Sequence, residues 1–260
     1  MLQSQKLAAP PSLASFVSYV RVTAAPERGV AHVPYVRLPD GQLELLLYVA
    51  PDDETLRVVG TRMRALHKPS TVGHAFLSVR FKPGGAYPFF GVPLSALTDQ
   101  LVDLADLWGD AAHVLRDALG NTHHRETRIA AVERALTHRL ATAAFEPASA
   151  PSVRRAVRLV EAAPALPTVE ALARDLGTST RHLRRTFLEV VGIGPKQYLR
   201  VARFQRALHA VKRAPFMPLA TIAERTGYSD QSHFSADFQA LSGTPPSALR
   251  AHGRGLARAS

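Results

Sequence analysis

The first third of the chain follows a pattern typical of β-strands. Short runs of β-branched and aromatic residues are separated by turn residues, and apolar and polar positions alternate within the runs. The pattern predicts strands over residues 16–22, 35–38, 43–49, 56–59 and 75–81. The turn residues from Pro39 to Gln42 predict a hairpin between the second and third of them. We therefore expect a β-rich region over residues 16–90, folded as a sandwich or barrel.

After Pro93 the spacing of apolar residues changes to that of helices. Thr98 is suited to cap a helix with one apolar face, formed by Leu101, Leu104, Ala105 and Trp108. A later helix has its apolar positions at steps of three and four, at Ile129, Val132, Leu136 and Leu140. Residues 97–145 are thus predicted to be helical, and the Ala-Pro-Ser-rich stretch 146–152 to be a linker. We expect two domains, residues 1–150 and 151–260.

The second domain contains an internal repeat. Three residues recur 50 positions later, and four more positions are matched 51 positions later, in the same order and with one Leu replaced by Phe. The matched positions are Ala173/Ala223, Gly177/Gly227, Ser179/Ser229, Leu183/Phe234, Phe187/Phe238, Gly192/Gly243 and Pro195/Pro246. The change of offset marks one inserted residue after Gly227. A helical unit is therefore used twice.

Each repeat unit is predicted to be a helix-turn-helix. Short amphipathic helices over residues 169–176 and 219–226 end at Gly177 and Gly227, which can take the left-handed conformation of a tight turn. Ser179 and Ser229 are then placed to cap the second helix of each unit. Such a second helix enters the major groove of DNA. For one unit alone, a helical hairpin that merely packs is an equal alternative.

Charge separates the two predicted domains. Residues 1–150 have a net charge of +1, whereas residues 151–260 have a net charge of +10, which favours nucleic acid as the partner of the second domain. On charge alone, a membrane surface as partner and charge that serves only solubility are the alternatives. The chain has no cysteine, so disulfides, zinc-cysteine sites and thiol catalysis are excluded. No apolar run approaches the roughly 18 residues that span a bilayer. We expect a cytoplasmic protein with no membrane partner.

The second helix of the first unit is predicted to read bases. Leu183 and Phe187 lie on its buried arc, and three arginines lie on the opposite arc: Arg181, Arg184 and Arg185. Arginine pairs bidentately with guanine. In the second unit the outward residues are Gln231, Ser232, Ser235 and Ala236, which offer weaker base contacts. We therefore expect the first unit to dominate base readout.

The helix between the two units starts near Pro195 and spans about 25 Å at about 1.5 Å per residue. A rigid helix of this length can hold two recognition helices near the 34 Å repeat of successive major grooves. Contacts with phosphates are predicted for the basic and hydroxyl side chains on and beside it: Ser179, Lys196, Arg200, Arg203, Arg206, Ser229 and His233.

These motifs resemble those of a known family. The stretches from Leu172 to Phe187 and from Ile222 to Phe238, the latter continuing into Gly243-Thr-Pro-Pro246, are similar to the DNA-binding domain of AraC/XylS regulators. The resemblance implies two helix-turn-helix units on double-stranded DNA and control of transcription, usually activation through RNA polymerase. It also implies an N-terminal domain, often a cupin-type barrel, that binds a small-molecule effector or forms a homodimer. Ala236 departs from the family, whose members commonly carry Arg there.

Two alternatives concern other classes of protein. An enzymatic or metal-dependent N-terminal domain would have to use His32, His67 and His74, or the His123-His124-Glu126 cluster, none of which has clear ligand spacing. An architectural DNA binder would bind all sequences alike. The aromatic residues that suggest a pocket are better explained as core: Tyr35, Tyr48, Phe76, Phe81 and Trp108. We expect an α+β regulator that is not an enzyme and has no cofactor.

Overall fold

The N-terminal region is built on antiparallel strands. The computed structural model describes residues 4–23, 35–49, 54–68, 75–122, 124–142 and 146–250. The strands in these ranges are β1 (Ser4–Ala8), β2 (Val17–Thr23), β3 (Tyr35–Arg37), β4 (Glu44–Val49), β5 (Glu54–Val59), β6 (Leu66–Lys68), β7 (Ala75–Phe81) and β8 (Leu101–Asp103). Six of them form one sheet in the order β1-β2-β7-β4-β5-β8, and β3 pairs with β6 in a second sheet of two strands.

Most helices lie after the last strand in sequence, and the regular elements of the described C-terminal region are all helices. They are α1 (Tyr87–Phe90), α2 (Ala105–Trp108), α3 (Asp110–Gly120), α4 (Arg125–Thr142), α5 (Ala150–Ala162), α6 (Val169–Asp175), α7 (Thr180–Val190), α8 (Pro195–Arg213), α9 (Leu219–Arg225) and α10 (Gln231–Ser242). Two short 3-10 helices, Pro11–Leu13 and Leu94–Leu97, complete the described elements. The α+β fold with two helix-turn-helix units agrees with the sequence prediction. No described helix combines the length and the apolar character needed to cross a bilayer.

One face of the large sheet forms the N-terminal core. Alternate residues of β4 and β7 point to this face, so that Leu45 lies opposite Val79 and Leu47 opposite Leu77. Helix α4 covers the face with Val132 and Leu136, which are both buried. A cavity of about 10 Å³ remains between sheet and helix, room for about one water molecule.

Two expectations about this core are settled by its packing. Phe81 and Trp108 are buried in it, as predicted, while the side chains of Tyr35, Tyr48 and Phe76 lie outside the described part. The apolar stripe of α4, predicted from the spacing of its apolar residues, packs within the chain. Leu136 is 1% exposed in the core and Ile129 and Leu140 pack against it, so the stripe serves the fold of a single chain.

The predicted hairpin around Gly41 is wrong. Strand β4 lies between β7 and β5, so both of its edges are occupied, and β3 pairs with β6 instead. The turn residues connect the two sheets. The Asp40 carboxylate stabilises this connection. It accepts hydrogen bonds from Arg37 Nη1 at 3.0 Å, Arg80 Nη2 at 2.7 Å and the Gln42 backbone N–H at 3.0 Å.

The predicted helix starting at Thr98 is also wrong. Leu101–Asp103 is strand β8, which pairs with the otherwise open edge of β5, and helix begins only at Ala105. The linker is also shorter than the predicted 146–152, because α5 already begins at Ala150. Pro151 lies in the first turn of this helix. Proline is favoured there because its missing N–H would have no helical partner.

The N-terminal domain packs against both helix-turn-helix units at the ends of their second helices. Thr61 Oγ1 donates to Val191 O at 2.7 Å and Thr98 Oγ1 donates to Gly192 O at 2.6 Å, both just beyond α7. Ala65 N–H donates to Leu241 O at 2.9 Å, in the last turn of α10. The segment from Thr61 to Ala65 therefore bridges the carboxyl-terminal ends of α7 and α10.

Gly192 is predicted to be essential to this packing. A Cβ atom there would lie 2.9 Å from both Leu94 O and Thr98 Oγ1, on a backbone with φ of +93°. Gly192→Ala should lower the free energy of unfolding by about 2 kcal/mol beyond the cost of positive φ, because the clash must be relieved. Gly177→Ala is the matched control, since its φ is +64° and a Cβ would meet nothing within 4 Å. Urea unfolding of both full-length variants checks this, and equal losses would contradict it.

Candidate nucleic-acid interface

The two turns have the same backbone geometry. Gly177 and Gly227 have φ of +64° and +81°, in the left-handed region. In the first unit Thr178 N–H donates to Ala173 O at 3.0 Å, and in the second Tyr228 N–H donates to Ala223 O at 3.0 Å. Both alanines are buried, which lets the second helix cross closely. The internal repeat is therefore a repeat of conformation.

The first residues of the two recognition helices α7 and α10 are capped differently. Ser179 caps α7 as predicted, accepting from His182 N–H at 3.2 Å. Ser229 was predicted to cap α10, but Asp230 does so, accepting from His233 N–H at 2.8 Å. The residue inserted after Gly227 moves the capping position by one. The His233 backbone N–H, followed by the Ser229 hydroxyl, lowers the pKa of Asp230.

Helix α7 presents its basic face outward. Arg181, Arg184 and Arg185 are exposed, opposite the buried Leu183 and Phe187. Arg181 and Arg184 line a cleft between α7 and α10, whereas Arg185 lies on the flank, with its Nη2 3.1 Å from His182 Nδ1. The structure thus separates the three arginines predicted to read bases into a pair in the cleft and one beside it.

Helix α10 presents a more neutral face. Gln231 and Ser232 are exposed at its first turn and Ser235 is half-buried, while His233 and Asp237 line the cleft. Ser229 is exposed and bonds locally to Asp230 Oδ2 at 2.9 Å. No Lys or Arg occurs on this helix, so the second unit brings little positive charge of its own.

The cleft has a volume of about 1390 Å³ and is floored by α8. Its walls carry five cationic side chains, contributed by both α7 and α8: Arg181, Arg184, Lys196, Arg200 and Arg203. Glu170 and Asp237 are the acidic residues that line it. Met63, Ser95 and Thr98 of the N-terminal domain reach its edge. Such a concave basic surface suits a phosphate backbone.

An ion pair between Arg200 and Asp237 ties α8 to α10 inside the cleft. Arg200 Nε donates to Asp237 Oδ1 at 2.5 Å, and Tyr228 OH donates to Asp237 Oδ2 at 3.1 Å. The guanidinium of Arg203 lies 5.3 Å from the centre of the Tyr228 ring. Burial first, and then the negative charge of Asp237, raise the pKa of Tyr228, so its hydroxyl stays a donor.

Arg206 does not face the cleft, which contradicts its predicted role. Its Nη2 donates to Val160 O at 2.9 Å and to Ala163 O at 2.6 Å, and its Nη1 donates to Pro164 O at 3.0 Å. The last carbonyls of a helix lack intrahelical partners, so the guanidinium caps the end of α5. Lys196, by contrast, is exposed at the start of α8.

Other predicted chemistry is not brought together in the described residues. No group of three or more metal-ligating side chains occurs among them. His67 is exposed on β6, whereas His32, His74 and His123 lie outside the described part of the chain. His124 and Glu126 stand at the start of α4, and both are exposed.

Sequence reasoning missed two functional features of the second unit. Asp230 could have been identified as the cap from the change of offset between the repeats. The pairing of Asp237 with Arg200 had no local signal, because the two residues are 37 positions apart on different helices.

The orientations of Lys196 and Arg206 lead to opposite predictions. Lys196→Ala should weaken DNA binding and reduce the slope of log K against log salt by about 0.9, since one phosphate contact is lost. Arg206→Ala should leave that slope unchanged and lower the free energy of unfolding by about 1–2 kcal/mol, because carbonyls at the end of α5 lose their donors. Salt-titrated binding and urea unfolding of both variants check this. A reduced slope for Arg206→Ala would contradict the capping role.

Two family models and several known proteins resemble parts of the chain. Residues 172–252 match the family model of a helix-turn-helix domain, and residues 5–103 match that of a domain of unknown function (DUF6597). The HTH-type transcriptional regulator GlxA of Rhizobium meliloti is 38% identical over 80 residues, which cover 31% of this chain and 24% of GlxA. The HTH-type transcriptional activator RhaS of Escherichia coli O139:H28 is 33% identical over 70 residues, which cover 27% of this chain and 25% of RhaS.

Solved structures also resemble the chain. A transcriptional regulator with an AraC-type DNA-binding domain from Chromobacterium violaceum is 27% identical, covers 40% of this chain and 94% of its own, and gives a TM-score of 0.38. ToxT from Vibrio cholerae is 11% identical and gives a TM-score of 0.43. The match covers 96% of this chain and 97% of ToxT. At these TM-scores neither likeness bears on function.

The matched segment spans about a quarter of the length of the two curated relatives, and both are transcription regulators, in line with the expectation of a regulator. The repeated turns and the two recognition helices lie within residues 172–252, which the helix-turn-helix family model matches. Residues 172–252 form a helix-turn-helix domain of the AraC type, and in this domain the chain is similar to the AraC-family DNA-binding regulators.

Proposed function

We propose that the protein is a sequence-specific transcription regulator that reads two adjacent major grooves with α7 and α10. The observation that carries this proposal is the basic cleft between the two recognition helices, with α8 as its floor. Helix α8 has 19 residues and is about 28 Å long at about 1.5 Å per residue. That length suits two helices that must enter grooves about 34 Å apart.

Base readout is unequal between the two units in this proposal. Arg181 and Arg184 are exposed on the cleft side of α7, where each can pair with guanine O6 and N7. Arg185 adds a third donor group on the flank. Gln231 can pair with adenine, and Ser232 and Ser235 offer single hydrogen bonds. The phosphate backbone is held by Lys196, Arg200, Arg203 and His233, with Ser179 and Ser229 at the helix starts.

The N-terminal domain is proposed to modulate DNA binding. Its segment from Thr61 to Ala65 touches the ends of both recognition helices, so a ligand that shifts this segment changes their relative position. A small-molecule effector, activation through RNA polymerase and a homodimer are proposals that the family resemblance supports, and RhaS is a named activator. A regulator that binds the genome would work in the cytoplasm.

Selection of genomic fragments tests the function. Full-length protein should recover fragments that share a motif at about 0.15 M salt, where non-specific binding weakens. The Arg181→Ala/Arg184→Ala variant should lose discrimination between the motif and mutated sites by about 1–3 kcal/mol for each guanine contact removed. The Gln231→Ala/Ser232→Ala variant should lose less.

The outcomes separate the classes of protein. Uniform recovery of all fragments would contradict sequence-specific reading and indicate an architectural binder. A larger loss of discrimination in the Gln231→Ala/Ser232→Ala variant would contradict the dominance of the first unit.

A further inference from the structure

The one carboxylate of α10 in the cleft stands where the phosphate backbone is proposed to pass. Asp237 lies among the cationic residues of the cleft walls, and phosphate would be repelled by an unpaired negative charge there. Its side chain is 9% exposed, and both oxygens are occupied by hydrogen bonds, from Arg200 and from Tyr228. Asp237 is therefore not available to accept from a cytosine amino group, which is how a carboxylate reads a base.

The geometry of Arg200 shows what the pairing achieves. Asp237 engages Nε of the guanidinium, and the arginine side chain is 38% exposed. Within the described residues, its two Nη groups make no hydrogen bond to protein. A guanidinium is a planar fork, so fixing one nitrogen fixes the directions of the others. The Nη groups are thus held as free donors in the cleft.

A second arginine is held through Tyr228. The Tyr228 hydroxyl is bound to Asp237, and its ring lies under the guanidinium of Arg203. Tyr228 is 5% exposed, so the ring has little freedom to move. One carboxylate thereby orients two arginines of α8, the first directly and the second through an aromatic ring.

We propose, on the basis of the proposed DNA-binding function, that Asp237 is a positioning residue of the DNA interface. Its carboxylate fixes the guanidinium of Arg200, and through Tyr228 that of Arg203, for contact with phosphates. Removing this negative charge from the basic cleft therefore weakens DNA binding. Net charge alone would predict the opposite effect, namely tighter DNA binding when the negative charge is removed, because an acidic group next to a polyanion is normally unfavourable.

The test compares Asp237→Asn with Glu224→Gln in the full chain. Both changes remove one negative charge from the second unit, but Glu224 is exposed on α9 and lies outside the cleft. On a selected DNA fragment, Asp237→Asn should reduce the slope of log K against log salt by about 0.9. Affinity at 0.15 M salt should fall about fivefold, which is the loss of one phosphate contact at that salt. Glu224→Gln should keep the slope and bind at least as tightly as the parent.

A double-mutant cycle separates positioning from a merely structural tie between α8 and α10. In an Arg200→Ala/Arg203→Ala background neither guanidinium is left to orient, so adding Asp237→Asn should raise affinity instead of lowering it. A structural role would lower thermal stability in both backgrounds and leave the slope unchanged, which would overturn the proposal. Tighter binding of Asp237→Asn alone, or altered preference at a single base, would overturn it as well. Failure of the parent protein to select any fragment would instead overturn the DNA-binding function on which it rests.

Discussion

Helix α8 is the element on which the DNA-binding half depends, because its buried face belongs to both hydrophobic cores. Tyr198, Leu199 and Val201 pack in the core of the first unit. Phe204, Leu208 and Val211 pack in the core of the second. Since the rise per residue of a helix is constant, sharing one helix fixes the distance and the rotation between the two units. The position of each recognition helix then follows from the close helix crossing at Ala173 or Ala223.

The apolar and the basic side chains of α8 have different roles. The apolar residues hold the units, and Lys196, Arg200 and Arg203 open onto the cleft between α7 and α10. Arg206 lies on the same helix but turns toward α5, where it satisfies the terminal carbonyls. The N-terminal domain meets the carboxyl-terminal ends of α7 and α10 through Thr61, Thr98 and Ala65. In the proposed function, DNA reading and domain packing therefore act on the same two helices.

The C-terminal fold could be predicted closely because its determinants are local. Turn glycines, small residues at helix crossings and apolar spacing all act within one repeat, and the repetition removes ambiguity. The N-terminal topology could not be predicted as well, since the pairing of β4 with β5 and β7 depends on which strand edges are free. Leu101–Asp103 has an apolar spacing that fits a helix, and only the open edge of β5 makes it a strand.

The residue types of the candidate site could be predicted from the sequence, but the orientations of its long side chains could be predicted less well. Exposure of Arg181, Arg184 and Arg185 follows from helical periodicity. The roles of Arg200, Arg206 and Asp237 follow from partners 37 to 46 positions away, which no local pattern encodes. Long flexible side chains choose between solvent and distant carbonyls or carboxylates, and that choice is made by tertiary packing.

The most direct test of simultaneous reading by two helices is methylation interference on a selected DNA fragment bound by the full-length protein. Methylation of guanine N7 blocks contacts in the major groove. Two clusters of interfering guanines are expected on one face of the duplex, about 10 base pairs apart, with the stronger cluster lost in Arg181→Ala/Arg184→Ala. A single cluster, or two clusters half a helical turn apart, would contradict the placement of α7 and α10 in successive major grooves.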